Sequence, residues 1–404
     1  MIGNDKIYID LFAGCGGLST GLLNAGWKGL FAIEKNFDAF STLRYNLIDN
    51  KKYFLWPDWL PIKEYDINDI LSDYSGKLQE LQGKVDLVAG GPPCQGFSMA
   101  GKRNQDDERN KLVKSYIKFI RLVLPNTIVF ENVHGFTVNF KNKKGTKKYS
   151  SYVERALKRL GYKVTYKIID MSQYGVPQNR KRFILIAMKD HFPKDVFSYI
   201  ENNRVAFCKD KGISCNTTIK DAIGDLEKVH GTVPSPDTRN FKAGIYGTAN
   251  SGYQALMRKD VKCTDNAVDS HRFVNHSKNI IKLHKDLLEN APVGKRITPK
   301  DGIVSNLKRR GVTVLNKESQ APTITSIPDE LVHYCEPRIL TVREHARIQS
   351  FPDWFEFKGK YTSGGKRRKQ EVPRYTQVGN AVPPLFAEQM GIAIMEVMSN
   401  VKSK

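Results

Sequence analysis

DLFAGCGGLSTGL, residues 10–22, decides how the chain is read: an apolar run ending at Leu11 and Phe12, glycines at 14, 16 and 17, then a stretch able to start a helix. A glycine-rich turn between a strand and a helix lets a ligand approach the backbone at the carboxyl edge of a parallel sheet. A dinucleotide loop would carry a further glycine at 19, after Gly14 and Gly16. Ser19 stands there instead, which favours a nucleoside cofactor without a pyrophosphate. Glu34 ends the next apolar run, where a carboxylate can accept hydrogen bonds from both ribose hydroxyls. Further on, Asp66 and Ile67 could hold an adenine's amino group and its apolar face. Taken alone, Gly14, Gly16 and Gly17 also fit a plain tight turn; Glu34 at that distance favours the nucleoside site.

Working outward, apolar runs at 6–12, 29–34, 85–91, 126–133, 163–171 and 182–188 alternate with amphipathic stretches, the pattern of a parallel sheet flanked by helices. Val153, Ala156, Leu157 and Leu160 share one helical face, and Gly161 stops that helix. From about 193 to 330 the periodicity fades among glycines, prolines and scattered basic residues, so a loop-rich second domain is expected there. A capped helix is expected from Thr341 to before Pro352, and a last helix after residue 384 returns to the first domain. The expected fold is α/β, a doubly wound, mainly parallel sheet over 1–192 completed by 375–404, with a smaller domain over 193–374.

The 404 residues carry 64 Lys and Arg against 42 Asp and Glu, a formal charge of +22. That excess favours a polyanionic partner, nucleic acid first, although a basic charge that only aids solubility gives the same count. No membrane span or signal peptide is apparent, which points to the cytoplasm. The six cysteines, at 15, 94, 208, 215, 263 and 335, form no CxxC pair, which argues against a disulfide framework or redox motif. Cys263, His271, His276 and His284 lack a second cysteine at zinc spacing; no metal is expected, and these are read as polar loop residues.

VDLVAGGPPCQGFS, 85–98, puts Cys94 just after a buried strand, with Pro92 and Pro93 fixing the exit. A cysteine used as a nucleophile needs nearby positive charge or a base. Continuing the alternation of 182–188 backward puts Gln178, Arg180 and Arg182 on one side, a source of that charge. FENV places Glu131 at the carboxyl end of another strand, near the same edge, where a carboxylic acid could donate a proton. Singly, each has a commoner reading as a packed thiol, a salt-bridged glutamate or a solvated arginine. Their convergence at one sheet edge favours a site.

At these residues the chain resembles the DNA (cytosine-5) methyltransferases of bacterial restriction-modification systems. The blocks, in order, are DLFAGCGG (10–17), GGPPCQGFS (90–98), FENV (130–133), QNRKR (178–182), REHARIQSFPDWF (343–355) and QVGNAVPP (377–384). The resemblance implies the S-adenosylmethionine-dependent methyltransferase fold, with Phe12, Gly14, Gly16, Gly17, Glu34, Asp66, Ile67, Pro93, Leu112 and Asn380 lining the cofactor site. It implies Cys94 as nucleophile, Glu131 at ring nitrogen 3 of cytosine, and Arg180 and Arg182 as a clamp on cytosine and phosphate. The substrate would be double-stranded DNA with the target base flipped out. The 193–374 domain would read the DNA, a Thr-apolar pair being offered by Thr323 and Ile324, with Gln95 and Ser98 approaching the gap and the phosphate. A cognate restriction endonuclease acting separately is the implied partner, and a monomer suffices because one flipped base needs one active site.

Three rivals stand beside this reading. An RNA methyltransferase of the same chemistry is disfavoured by the large middle region. A zinc deaminase would need a PCxxC and an HxE that the chain lacks. A DNA-binding regulator that had lost catalysis is disfavoured by the intact Cys94, Glu131 and Arg182.

Overall fold

The computed structural model describes residues 5–93, 109–137, 140–142, 145–147, 149–261, 267–303, 311–362 and 371–399. The chain forms two compact units, a first of residues 1–170, 181–204 and 386–404 and a second of 171–180 and 205–385.

In the first unit the apolar runs become β1 (Ile7–Leu11), β2 (Lys28–Ile33), β3 (Leu87–Gly90), β4 (Thr127–Val133), β7 (Lys163–Asp170) and β8 (Lys181–Met188), with a hairpin of β5 (Phe140–Asn142) and β6 (Gly145–Lys147) set apart from the sheet. The sheet order is β2-β1-β3-β4-β8-β7. The first four strands are parallel, and β8 runs antiparallel to both neighbours. Every residue of β1 is buried, as a parallel strand covered on both faces requires. The sheet is wound outward from β1 in both directions, so the strand order reverses there, and sheets of this kind bind ligands beyond the carboxyl ends of the strands at such a point. Register aligns those ends: Leu11 pairs with Ile33 and Gly90, and Gly90 with Phe130. Because β8 runs the other way, its first residues reach the same edge, with Arg182 opposite Val133.

Helices α1 (Gly17–Asn24), α2 (Phe37–Leu43), α3 (Ile67–Asp73), α4 (Ser75–Glu80), α5 (Arg109–Val123) and α6 (Tyr149–Arg159) follow their strands. Val153 and Leu157 are the buried stripe of α6, and Gly161, at φ +87°, turns the chain after it. Ile9, Leu11, Phe31, Val88, Phe130 and Phe183 belong to one apolar core, each such burial contributing roughly 1.5–3 kcal/mol. The C-terminal helix α13 (Pro384–Ser399) joins the unit through Trp27, whose Nε1 donates to the Gly391 carbonyl at 3.1 Å.

Residues 193–330 hold more helix than expected. An 18-residue helix α7 spans Pro193–Asp210, and a 13-residue helix α10 spans Lys278–Asn290. The first buries Val196, Phe197, Ile200 and Cys208, but its weak helix formers, Asn202, Asn203 and Val205 among them, blur the signal. Most of α7, through Arg204, belongs to the first unit; besides α10, the second unit contains α8 (Ile219–Ile223), the pair β9 (Thr232–Pro234) and β10 (Lys242–Gly244), α9 (Gly252–Met257), and a sheet of β11 (Arg296–Ile297), β12 (Val312–Val314) and β13 (Leu331–Val332). Helix α11 (Val342–Ile348) starts where expected: Thr341 and Glu344 form a capping box. Helix α12 (Arg374–Asn380) follows. Among the described residues no helix is long and apolar enough to cross a membrane.

Candidate active site

The glycine loop is built by backbone shape. Phe12, Gly14 and Gly16 all have positive φ, at 59°, 57° and 95°. At Gly16 a Cβ would also lie 2.9 Å from Leu47, so both conformation and space require glycine. At Gly14 a Cβ would meet nothing within 4 Å, so the loop faces open space there. Helix α1 then begins at Gly17.

Glu34 is tied to this loop. Its Oε2 accepts from Gly14 N at 3.0 Å and its Oε1 from Asn36 N at 2.7 Å. Burial raises its pKa against the opposing pull of those amides. Sequence reasoning missed the acid beneath: Asp10, 1% exposed in β1, accepts from Ser19 Oγ at 2.6 Å. The residue that breaks the dinucleotide pattern therefore partners a buried carboxyl, which burial pushes up to about 7. A lone acid inside an apolar strand was the available signal.

Asp66 caps α3, accepting from Asn68 N at 2.9 Å, and pairs with Lys35 at 2.8 Å. Burial acts against its ionisation, but these partners together hold the carboxyl below its ordinary value. Ile67 is buried in the apolar core, whereas Leu112 and Phe12 are half-buried at the core's margin. Asn380 is exposed at the end of α12 in the second unit.

At the end of β3 the chain has no spare room. A Cβ on Gly90 would lie 2.5 Å from the Leu11 carbonyl, and one on Gly91 would lie 2.7 Å from Glu131 Oε2. Asn132 Nδ2 donates to the Pro92 carbonyl at 3.2 Å, pinning the same exit to β4. Pro92 is buried and Pro93 exposed. Glu131 pairs with Arg182 Nε at 3.2 Å, with the two side chains only 15% and 13% exposed. Gly91 and Asn132 are thus positioning residues that the sequence reading passed over; glycine before Pro-Pro was the signal. Cys94, Gln95 and Ser98 lie outside the described residues.

The alternation through QNRKR is visible as burial of Gln178 and Arg180 with exposure of Asn179 and Lys181. Arg180, 1% exposed in the second unit, directs its guanidinium to the carbonyls of Ile324 at 3.3 Å, Gly379 at 3.1 Å and Ala381 at 2.9 Å. Asn380 is therefore held between two carbonyls that one arginine binds. Gln178 Oε1 accepts from Ile324 N at 3.0 Å, and Thr323 Oγ1 donates to the Asn179 carbonyl. Thr323 is exposed and Ile324 buried.

Other second-unit cations also serve buried networks. Arg347 pairs with Asp225 and Asp353 at 3.1 and 2.6 Å, and Arg338 binds Glu344 at 2.7 Å. His271 lies outside any helix or strand, as expected, but is fully buried, between Thr341 Oγ1 and the Leu226 carbonyl, each at 2.8 Å; His284 lies instead in helix α10. His276 and His284 stack edge to face at 5.0 Å, and Cys263 lies outside the described residues. In the basic loop at 358–369, Lys358 pairs with Glu356 and Lys360 with Glu371.

The profile of C-5 cytosine-specific DNA methylases matches residues 7–396. Two curated relatives are each 30% identical: Type II methyltransferase M.DdeI of Desulfomicrobium norvegicum, over 97% of this chain and 89% of its own length, and M1.HphI of Haemophilus parahaemolyticus, over 97% and 87%. Among solved structures, a prophage-encoded E. coli protein described as a DNA modification methyltransferase aligns with a TM-score of 0.65 at 22% identity, covering 98% of this chain and 100% of its own. S. pombe Dnmt2 aligns at 0.53 and 15%, covering 98% and 99%. These two likenesses concern the fold. The match across almost the whole chain settles the membership: this protein belongs to the C-5 cytosine-specific DNA methylase family.

Proposed function

We propose that the protein transfers a methyl group from S-adenosylmethionine to carbon 5 of a specific cytosine in double-stranded DNA, through a transient covalent bond to Cys94. The observation that carries this reading is the Glu131–Arg182 pair, pressed against Gly91 three residues before Cys94.

The first unit suits the cofactor. Open space above Gly14 leaves room for a ligand beside the loop, and each Glu34 oxygen retains acceptor capacity for a ribose hydroxyl. Phe12, Gly14, Gly16, Gly17, Glu34, Asp66, Ile67, Pro93, Leu112 and Asn380 are the proposed lining, with Ile67 contributing backbone because its side chain lies in the core. When bound, S-adenosylmethionine supplies a methyl group activated by a sulfonium.

Carbon 5 of cytosine is a poor nucleophile while the ring stays aromatic. Cys94 adds as a thiolate to carbon 6, and the displaced electron density moves toward ring nitrogen 3, where Glu131 delivers a proton. Arg182 stabilises the charge at carbonyl oxygen 2 and orients Glu131. Carbon 5 takes the methyl group as the methyl–sulfonium bond breaks, its electron pair staying on that sulfur; ring nitrogen 3 then returns its proton to Glu131, and the carbon 5 proton leaves to solvent as the carbon 6–sulfur bond breaks and the ring recovers.

An intact duplex hides carbon 6, so the base must flip out at a cost of a few kcal/mol. The second unit is the proposed DNA-reading domain. Arg180 acts there as a positioning residue for Ile324 and Asn380, leaving the ring clamp to Arg182. Thr323 and Ile324, with Gln95 and Ser98, are the proposed DNA contacts. The named Type II relatives support a role in a restriction-modification system. The proposal extends to a monomer in the cytoplasm, beside a separate cognate endonuclease.

The test is transfer of labelled methyl from S-adenosylmethionine into pooled duplexes covering all short sites, with structured RNA in parallel. The expected result is label in 5-methylcytosine of DNA, abolished by Cys94→Ser. Label in RNA alone, or unchanged transfer by Cys94→Ser, overturns the reading.

A further inference from the structure

The second unit holds a cavity of about 240 Å³ whose lining carries three acids and three cations, unequally matched. Each acid has its own cation: Asp237 accepts from Arg374 at 2.6 Å, Asp269 from Arg343 at 2.8 Å and Glu356 from Lys358 at 2.7 Å. Arg343 is not itself a lining residue, so Arg272 is left as the lining cation with no carboxylate at ion-pair distance among the described residues. Its buried Nε has no hydrogen-bond partner.

The guanidinium of Arg272 is nevertheless held firmly. It lies over the rings of Phe241 at 4.1 Å and Tyr361 at 3.8 Å, and Arg374 stacks on Tyr361 at 4.3 Å. Tyr361 is anchored in turn by its hydroxyl on Asp237 at 3.0 Å. Stacking uses the π faces of a guanidinium and leaves its N–H donors in the plane. A partly desolvated cation with idle donors is costly unless something pairs with it. A planar fork is matched best by an anion that offers two oxygens, as a phosphate does.

We propose that Arg272 binds a phosphate group in this cavity, a backbone phosphodiester of the DNA substrate. This rests on the reading of the second unit as the DNA-binding domain. Arg272 then fixes the register of the duplex without reading a base, since phosphate contacts position and base contacts specify.

The test is equilibrium binding of the full chain to fluorescent duplexes of several sequences across a range of sodium chloride. Arg272→Met should weaken every duplex by a similar factor and reduce the slope of log affinity against log salt by about 0.9, the counterion release of one phosphate contact. Arg272→Lys keeps the charge but loses the fork, so affinity should fall with the slope retained; this variant also serves if Arg272→Met melts without cooperativity. Unchanged affinity in the variants that fold overturns the proposal, as does a loss confined to duplexes bearing one particular base. A rise in Tm with inorganic phosphate at constant ionic strength, abolished in the variant while DNA binding is untouched, overturns the DNA assignment in favour of a free-phosphate site. Failure of the unmodified chain to bind any duplex would instead sink the DNA-binding reading itself.

Discussion

At the sheet edge of the first unit, Glu34, Glu131 and Arg182 are held by backbone amides and by one another and are half-buried. In the second unit, Arg180, Arg343 and Arg347 are almost wholly buried and bind carbonyls and carboxylates that hold the fold together. The formal charge of +22 is therefore no map of DNA contacts. Arginines inside motif blocks can be internal fasteners, and a cation left without a carboxylate, such as Arg272, says more about a ligand than the count does.

The sharpest way to break this contrast is to remove one charge from each unit. Glu131→Gln should lower the rate of methyl transfer by about 10²–10⁴-fold, the usual worth of a general acid, with little change in Tm. An equal loss of stability would make Glu131 a structural residue like those of the second unit. Arg347→Met should do the reverse, costing about 3–5 kcal/mol in denaturant unfolding because Asp225 and Asp353 would be left buried beside a missing cation. Gly91→Ala comes next: the added methyl displaces the Glu131 carboxylate, and kcat should fall by about 10² with DNA affinity retained. A wild-type kcat there would show that the Gly91–Glu131 contact does not position the acid.

Smallest in the whole-protein melt, but opposite in sign, are the pH responses of the two units. Burial raises Asp10 from 3.8 to about 7, so between those values the folded state holds a proton that the unfolded state has lost. Its contribution is full below about pH 4 and disappears as pH rises through 7. Burial lowers His271 and His345 from 6.5 to about 4. Between those values the unfolded state binds the extra protons, so their contribution is present above about pH 6.5 and is lost as pH falls toward 4. Hydrogen exchange, corrected for intrinsic rates, should show second-unit amides losing protection on acidification while those around β1 do not. Parallel loss in both units would contradict these assignments.

Much of this was legible in the sequence because the four parallel strands, largely buried, read as apolar runs, while the antiparallel β8 is as apolar and the more exposed β7 still carries Val164, Tyr166, Ile168 and Ile169. The glycine loop was legible because Gly16 answers a backbone requirement. What escaped notice depends on contacts between different elements of the fold: Ser19 on Asp10, Gly91 against Glu131, and Arg180 on carbonyls some 140 to 200 residues away. A motif fixes which residues are present, but not which of them face a ligand. Helix α7 was missed for a different reason, since its register comes from packing and not from helix propensity.

The central claim is a covalent bond between Cys94 and the target cytosine, and trapping tests it most directly. The protein would be incubated with S-adenosylmethionine and duplexes carrying 5-fluorocytosine at every candidate site, then denatured and analysed by peptide mass spectrometry. Fluorine cannot leave as the carbon 5 proton does, so the predicted result is a denaturation-resistant adduct on Cys94, absent without S-adenosylmethionine turnover and absent in Cys94→Ser. Methylation of ordinary duplexes with no adduct on the fluorinated ones, or an adduct on another residue, would contradict the account.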